Sequence, residues 1–208
     1  MDIFHNSRLP FSKYFIELLF CNDSNTVKDE LSNFGQELKI LVTNKTFIDM
    51  GCGIPEISGN MNTISKLLEA TNYIGIDNKI EKGYEVINTF TQCEYIESDL
   101  LNFVQNMDKS KGNIFFFSGI EPITLFQDDL LEKIKTEDYE EYKKDQITRA
   151  YIDNLLKEIS LKSITGDIII IGAGISGLNP DKYGYKKIIE KEINMTGYKQ
   201  NSISIFIF

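Results

Sequence analysis

Five short, mostly apolar segments constrain the fold of this 208-residue chain more than any other feature. They are Thr46–Met50, Tyr73–Asp77, Glu94–Ser98, Asn113–Ser118 and Asp167–Ile171. Each is rich in β-branched or aromatic residues, as is typical of parallel strands that are buried on both faces. Helical patterns long enough for crossover connections separate the first four. This alternation of strand and helix predicts a doubly wound α/β sheet.

The remaining segments predict additions to one single domain that spans 1–208. Residues 1–44 are expected to form an N-terminal helical cap, with helix from Phe11 to about Val42. The sheet core would span 45–208, and a helical insertion at about 121–160 would complete a lid with the cap. The segment Tyr185–Asn194 has the pattern of a charged amphipathic helix, and Ser202–Phe208 that of a final strand.

Charge and composition argue against several functional classes. The net charge of -9 argues against a nucleic acid partner, because binding phosphates requires clustered Lys and Arg. No segment has the length and apolarity of a membrane span, and the N-terminus lacks the pattern of a signal peptide. We therefore expect a cytoplasmic protein. Three dispersed cysteines and one histidine predict no metal site. The oligomeric state stays open.

Glycines and acids follow the ends of the predicted strands. Ligands of open α/β sheets bind beyond the carboxyl ends of the strands, at the point where the strand order reverses. These strand ends are therefore the place to look for a site. The candidates are Asp49, Gly51, Cys52, Gly53, Asp77, Asn78, Asp99, Leu100, Ser118 and Gly119.

This set of strand ends resembles the class I S-adenosylmethionine-dependent methyltransferases, over most of the chain from Thr46 to Phe208. The run FIDMGCG is similar to the D-x-G-x-G opening of that family. The resemblance implies a Rossmann-like, mostly parallel sheet of seven strands, or six if the last pair is incomplete, and S-adenosyl-L-methionine as the cofactor. Pro55 departs from the family, which often has a third glycine there. The segment 54–60 looks like an inserted loop that would reshape the methionyl pocket.

The resemblance also implies roles for the residues at the first two strand ends. Asp49 would support the glycine loop and, often through water, the ammonium of the ligand. Gly51 and Gly53 have no Cβ atom, so the backbone could turn sharply and approach the methionyl group. Asp77 would accept hydrogen bonds from both ribose hydroxyls.

The residues at the next two strand ends would meet the rest of the cofactor. By the same resemblance, Asp99 would accept a hydrogen bond from the adenine amino group, and Leu100 would supply a neighbouring N–H and an apolar contact. Ser118 and Gly119 would lie near the sulfonium. An acid directly before a helix is also a common N-cap, and Asp99 is well placed for that role.

The resemblance predicts methyl transfer to a small-molecule or peptide acceptor. The sequence after the fourth strand lacks the N-P-P-Y type of motif that base-modifying members carry. Glu121 stands where a general base or a substrate contact would be, and it could instead cap the next helix. Arg8, Phe11 and Tyr14 are candidate substrate contacts in the cap. An inactive, cofactor-binding partner subunit is the alternative function.

A second glycine pattern suggests a different cofactor. Gly172, Gly174 and Gly177 have the G-x-G-x-x-G spacing of a dinucleotide fingerprint, which would make the protein an oxidoreductase. That fingerprint needs a helix directly after the glycines to receive the pyrophosphate. Pro180 falls in the first turns of such a helix, and proline breaks a helix interior. The pattern therefore favours a buried strand that ends in a glycine turn.

Overall fold

A computed structural model describes residues 15, 17–23, 26–53, 55–78, 80, 93–109, 112–117, 141–172, 178–192 and 202–208. The strands in chain order are β1 (Phe20–Asp23), β2 (Thr26–Leu31), β3 (Thr46–Met50), β4 (Asn72–Asp77), β5 (Cys93–Glu97), β6 (Asn113–Phe117), β7 (Ile168–Ile171), β8 (Lys186–Glu192) and β9 (Ser202–Ile207). Residues 15 and 17–19 are helical, and the helices that follow are α1 (Asn33–Val42), α2 (Pro55–Leu67), α3 (Leu100–Asn106) and α4 (Glu141–Lys162), with a 3-10 helix at Pro180–Tyr183.

Seven of the described strands form one sheet in the order β5-β4-β3-β6-β7-β9-β8. The strands from β5 to β7 are parallel, whereas β9 is antiparallel to both β7 and β8. This confirms the Rossmann-like, doubly wound and mostly parallel sheet predicted from the sequence. The chain moves outward from β3 to β5 and then returns to β6 on the other side of β3. The strand order therefore reverses between β3 and β6, where such sheets bind ligands.

The seventh strand comes from a segment that the sequence analysis interpreted wrongly as a helix. β8 pairs with β9 along its length, from Lys186 opposite Ile207 to Glu192 opposite Ser202. It lies at the end of the sheet order, and all but one of its residues are exposed. An edge strand of this kind carries charges that oppose pairing with other chains. The same charges hide the apolar pattern by which strands are predicted, so the sheet is not one strand short.

Apolar side chains on the two faces of the sheet form two core clusters. Successive strand residues point to opposite faces, so Phe47 and Phe116 belong to one cluster and Ile48 and Phe115 to the other. α1 and α2 contribute to the first cluster, whereas α3 and α4 contribute to the second. The described part of the chain thus has helices on both faces of a mostly parallel sheet.

The segment before the sheet differs from the helical cap that was predicted. Residues 15 and 17–19 are helical, but β1 and β2 then form an antiparallel hairpin, so the helical region predicted from Phe11 to about Val42 is interrupted by two strands. Helix resumes after Ser32, whose hydroxyl accepts a hydrogen bond from the Gly35 N–H at 3.0 Å as an N-cap. Phe34 and Leu38 of α1 are buried in the first cluster. The helix α1 therefore contributes to the hydrophobic core.

The predicted lid at 121–160 is also wrong in its second half. α4 follows β6 and precedes β7, and it buries Ile152, Leu155, Leu156 and Ile159 in the second cluster. It is the crossover helix of the parallel β6–β7 pair. Its apolar side chains lie in the core, so this helix is one of the helices that cover the central sheet. Residues 121–140 lie outside the described residues.

Candidate functional site

The carboxyl ends of β3, β4 and β5 meet at one edge of the sheet. The N–H groups of Gly51 and Cys52 both donate to the carbonyl oxygen of Ile76, at 2.8 and 3.0 Å. The Ser98 N–H donates to the carbonyl oxygen of Asp77 at 2.9 Å. These bonds join the chain segments that leave the three strands. The candidates on these three strand ends are therefore neighbours.

The turn after β3 needs its glycines. Gly51 has a φ of +81° and Gly53 a φ of +69°, in the left-handed region that other L-residues disfavour. A Cβ built on Gly53 would meet no atom of the described residues within 4 Å. The predicted inserted loop is wrong, because α2 begins at Pro55. Proline suits the first position of a helix, where its missing N–H would have had no helical partner.

Asp77 holds this glycine turn in place. Its side chain is 6% exposed, and Oδ2 accepts a hydrogen bond from the Gly53 N–H at 2.8 Å. The sequence predicted that this carboxylate faces the ribose. In the structure it also connects the end of β4 to the turn after β3, so any ligand contact of Asp77 is coupled to the shape of that turn.

Asp49 has a buried carboxylate that is only half satisfied. Its side chain is 2% exposed, and the Tyr73 hydroxyl donates to Oδ2 at 2.7 Å. Oδ1 is buried and has no hydrogen-bond partner among the residues that the structure describes. The pKa of Asp49 is raised to about 7, because burial, together with the nearby charge of Asp77, outweighs the opposing effect of the Tyr73 hydrogen bond. An unpaired buried acceptor costs free energy, so Oδ1 is a candidate contact for a ligand.

The thiol of Cys52 packs inward from the turn. It lies 3.0 Å from the position of a Cβ built on Gly75, and it makes a 3.3 Å contact with the carbonyl oxygen of Gly53. Burial, followed by the charges of Asp49 and Asp77, raises the pKa of Cys52 well above its ordinary value. The thiolate is therefore suppressed, and Cys52 lacks the character of a nucleophile.

Asp99 is an N-cap, which was the second interpretation of its sequence position. Oδ1 accepts from the Asn102 N–H at 3.0 Å, at the start of α3. Oδ2 accepts from the Tyr151 hydroxyl of α4 at 2.7 Å. Leu100 is 2% exposed and packs in the second core cluster. Asn78 is half-buried in the bend directly after β4.

Two hydrogen-bond partners of the candidate acids were not predicted from the sequence. Tyr73 begins the apolar run of β4 and looks like a core residue, although strand alternation could have placed it on the face of Asp49. Tyr151 lies in a charged region, and no local pattern connects it with Asp99. The other candidate residues lie outside the described part of the chain: Ser118, Gly119, Glu121, Arg8, Phe11 and Tyr14.

The second glycine pattern lies at the end of β7. The Gly172 N–H donates to the carbonyl oxygen of Phe117 at 2.7 Å and so continues the β6–β7 pairing. Gly174 and Gly177 lie outside the described residues. Pro180 begins a 3-10 helix of four residues, and the next strand, β8, pairs with β9, which separates it from β7 in the sheet. Residues 178–192 therefore do not provide the adjoining parallel strand that a dinucleotide fingerprint requires.

The described residues contain no group of three or more His, Cys, Asp or Glu side chains that could hold a metal ion. None of the helices described is long and apolar enough to cross a membrane.

Several solved structures are similar to this chain, although no protein-family profile and no curated protein matches it. Precorrin-6y C5,15-methyltransferase from Geobacter metallireducens is 9% identical over 91% of this chain and 93% of its own, with a TM-score of 0.41. A TehB-like SAM-dependent methyltransferase from Corynebacterium glutamicum is 14% identical over 81% and 85%, with a TM-score of 0.41. TrmN from Thermus thermophilus is 9% identical over 86% and 49%, with a TM-score of 0.46.

These TM-scores are low, so the fold assignment rests on the strand order of this chain. Five parallel strands in a doubly wound order and a final antiparallel pair form the mostly parallel sheet of seven strands that the sequence resemblance implied, and the structure places the last strand between β7 and β8. The chain therefore has the Rossmann-like sheet expected of a class I methyltransferase.

Proposed function

We propose that the protein binds S-adenosyl-L-methionine beyond β3, β4 and β5 and transfers its methyl group to a small-molecule or peptide acceptor. The orphaned Oδ1 of Asp49 carries this proposal, because it is a buried acceptor two residues before the glycine turn. The ammonium of the methionyl group is a donor whose charge suits a carboxylate. Binding it would relieve the cost of the unpaired oxygen.

The glycine turn also suits the methionyl end of the cofactor. Gly51 and Gly53 have positive φ, and the Cβ position of Gly53 is open. A side chain there would occupy space that a ligand needs, and glycine leaves it free. Cys52 is proposed to contribute through the backbone of this turn, since its thiol is buried. The donor's methionyl chain would lie against the turn.

The acids that follow the next two strands suit the adenosine end of the cofactor. Ribose hydroxyls and the adenine amino group are hydrogen-bond donors, and the carboxylates of Asp77 and Asp99 accept. The Ser98 N–H that binds the Asp77 carbonyl ties these two strand ends together. Asn78 and Leu100 are proposed as adjoining contacts.

The chemistry comes mainly from the donor. When bound, it supplies an electrophilic methyl group on a sulfonium with a good leaving sulfide. The protein then has to align donor and acceptor, and a base is needed only if the acceptor must lose a proton. Glu121 is proposed for that role, Ser118 and Gly119 as neighbours of the sulfur, and Arg8, Phe11 and Tyr14 as substrate contacts.

Binding and turnover are tested in turn. Calorimetry of the purified protein with S-adenosyl-L-methionine and S-adenosylhomocysteine should show binding, and NADH and FAD should not bind. Donor labelled in its methyl group is then incubated with metabolite and peptide fractions. Transfer of label supports the enzyme, and Glu121→Gln tests the base. Binding without transfer to any fraction favours the inactive partner subunit, and binding of a dinucleotide alone contradicts the proposal.

A further inference from the structure

The hydroxyl of Tyr151 holds the carboxylate of Asp99 from a separate element of the fold. Tyr151 lies in α4, and its hydroxyl donates to Asp99 Oδ2 at 2.7 Å. Asp99 Oδ1 accepts from the Asn102 N–H of α3 at 3.0 Å. Each oxygen of the carboxylate therefore has one fixed donor, and the two donors come from two helices. This arrangement fixes the rotation of the carboxylate about its Cβ–Cγ bond.

The direction of the Tyr151 hydrogen bond is also fixed. The same hydroxyl oxygen accepts from the Leu101 N–H at 3.2 Å, so its single proton is directed to Asp99. Burial and the bond to Asp99 raise the pKa of Tyr151. The phenol thus remains a donor at neutral pH.

The helix that carries Tyr151 is anchored in the core. Its neighbours Ile152 and Leu155 are buried in the second core cluster, beside Leu100 and Val104 of α3. A hydrogen bond from a packed helix positions its partner better than one from a loop. The hydroxyl of Tyr151 is therefore held at a set place relative to α3.

We propose that Tyr151 is a positioning residue that makes the donor site selective for a purine with an amino group at C6. The inference rests on the proposed binding of S-adenosyl-L-methionine. A carboxylate oxygen can accept two hydrogen bonds, so each oxygen of Asp99 keeps acceptor capacity beside its fixed donor. A 6-amino group can donate a hydrogen bond to one of these oxygens, whereas a 6-oxo group is itself an acceptor and would face the carboxylate without a proton between them. Loss of the phenol would free the carboxylate to rotate.

The test compares S-adenosylhomocysteine with its 6-oxo analogue, S-inosylhomocysteine, by calorimetry. The wild-type protein should prefer the amino form by at least about tenfold, as buried polar recognition groups do. Tyr151→Phe should weaken the amino form by about three- to tenfold and leave the oxo form within about twofold, so that the preference collapses. Tyr183→Phe is the matched control, because Tyr183 also hydrogen-bonds an acid of α4, Asp153, to which the proposed function assigns no role.

The two proposals fail in different ways. If the wild-type protein binds neither compound, the proposed function is wrong and this inference falls with it. If the amino form binds and Tyr151→Phe weakens both compounds equally, or neither, only this inference is overturned. Asp99→Asn should abolish the preference, and adding Tyr151→Phe to it should cause no further change in the ratio. A further change would mean that Tyr151 does not act through Asp99.

Discussion

Replacing Asp49 by asparagine should stabilise the unliganded protein at alkaline pH and not at acidic pH. Asparagine has the same shape, and its carbonyl oxygen can still accept from the Tyr73 hydroxyl. It removes only the charge that burial and Asp77 disfavour in the folded protein. The wild-type carboxyl must ionise without solvent and with Oδ1 unpaired, whereas the amide has no charge to bury.

The magnitude follows from the pKa of Asp49 in the two states. The folded value of about 7 exceeds the ordinary value of 3.8. Between these values the folded state binds more protons, so the free energy of unfolding of the wild type falls as pH rises. One pKa unit corresponds to about 1.4 kcal/mol. Between pH 5 and pH 8 the wild type should therefore lose about 3 kcal/mol relative to Asp49→Asn, with little further change above pH 8.

Urea unfolding at several values between pH 5 and pH 8 measures this difference. The chain contains no tryptophan, so far-ultraviolet circular dichroism is the suitable probe. Because every other titrating group is common to both proteins, the difference in free energy of unfolding isolates position 49. A difference that stays constant across this range, or that favours the wild type more as pH rises, would refute the proposed burial of the charge.

Three further predictions concern the same cluster. Tyr73→Phe removes the donor that lowers the pKa of Asp49, so urea unfolding should show a loss of about 1–3 kcal/mol that is larger at pH 8 than at pH 5. A pH-independent loss would contradict it. Binding of the donor ammonium should lower the pKa of Asp49. Calorimetry in buffers of different ionisation enthalpy should therefore detect proton release near pH 6.5 and tighter binding towards pH 8. If no protons are released, Asp49 does not contact the ammonium. Asp77→Ala strands the Gly53 N–H and should cost about 1–3 kcal/mol in urea unfolding together with donor affinity. Lost affinity at unchanged stability would show that the turn does not depend on Asp77.

The apolar strands were predictable because burial on both faces leaves a continuous apolar run, as in Ile168–Ile171. The strand β8 was not predictable in this way, since an edge strand with exposed faces carries Lys and Glu. The hairpin before α1 was missed because the charged residues of Thr26–Leu31 continue without a proline or glycine into the helix. The boundary is set by the Ser32 cap.

The positions of the candidate acids at the strand ends were predictable from the sequence, but their hydrogen-bond partners were not. Strand ends place Asp49, Asp77 and Asp99 at one edge because parallel strands share a direction. Their hydrogen-bond partners depend on packing between elements that are distant in sequence. Tyr151 lies 52 residues from Asp99, and no spacing rule connects them. The effect of Asp77 on the glycine turn likewise appears only in three dimensions.

A matched pair of glycine variants tests the location of the cofactor most directly. Gly53 and Gly166 both have positive φ, at +69° and +96°, and a Cβ built on either meets no atom within 4 Å in the described part of the chain. Alanine should cost each position about 1–2 kcal/mol and lower the melting temperature by about 2–8 °C. Only Gly53 lies at the carboxyl ends of the strands, because Gly166 precedes β7.

The decisive measurement is a calorimetric titration of the wild type and both variants with S-adenosyl-L-methionine, well below their melting temperatures. Gly166→Ala should bind within about twofold of the wild type, and Gly53→Ala should bind at least about tenfold more weakly because its methyl group enters the ligand space. Wild-type affinity in Gly53→Ala, or an equal loss in both variants, would place the cofactor elsewhere.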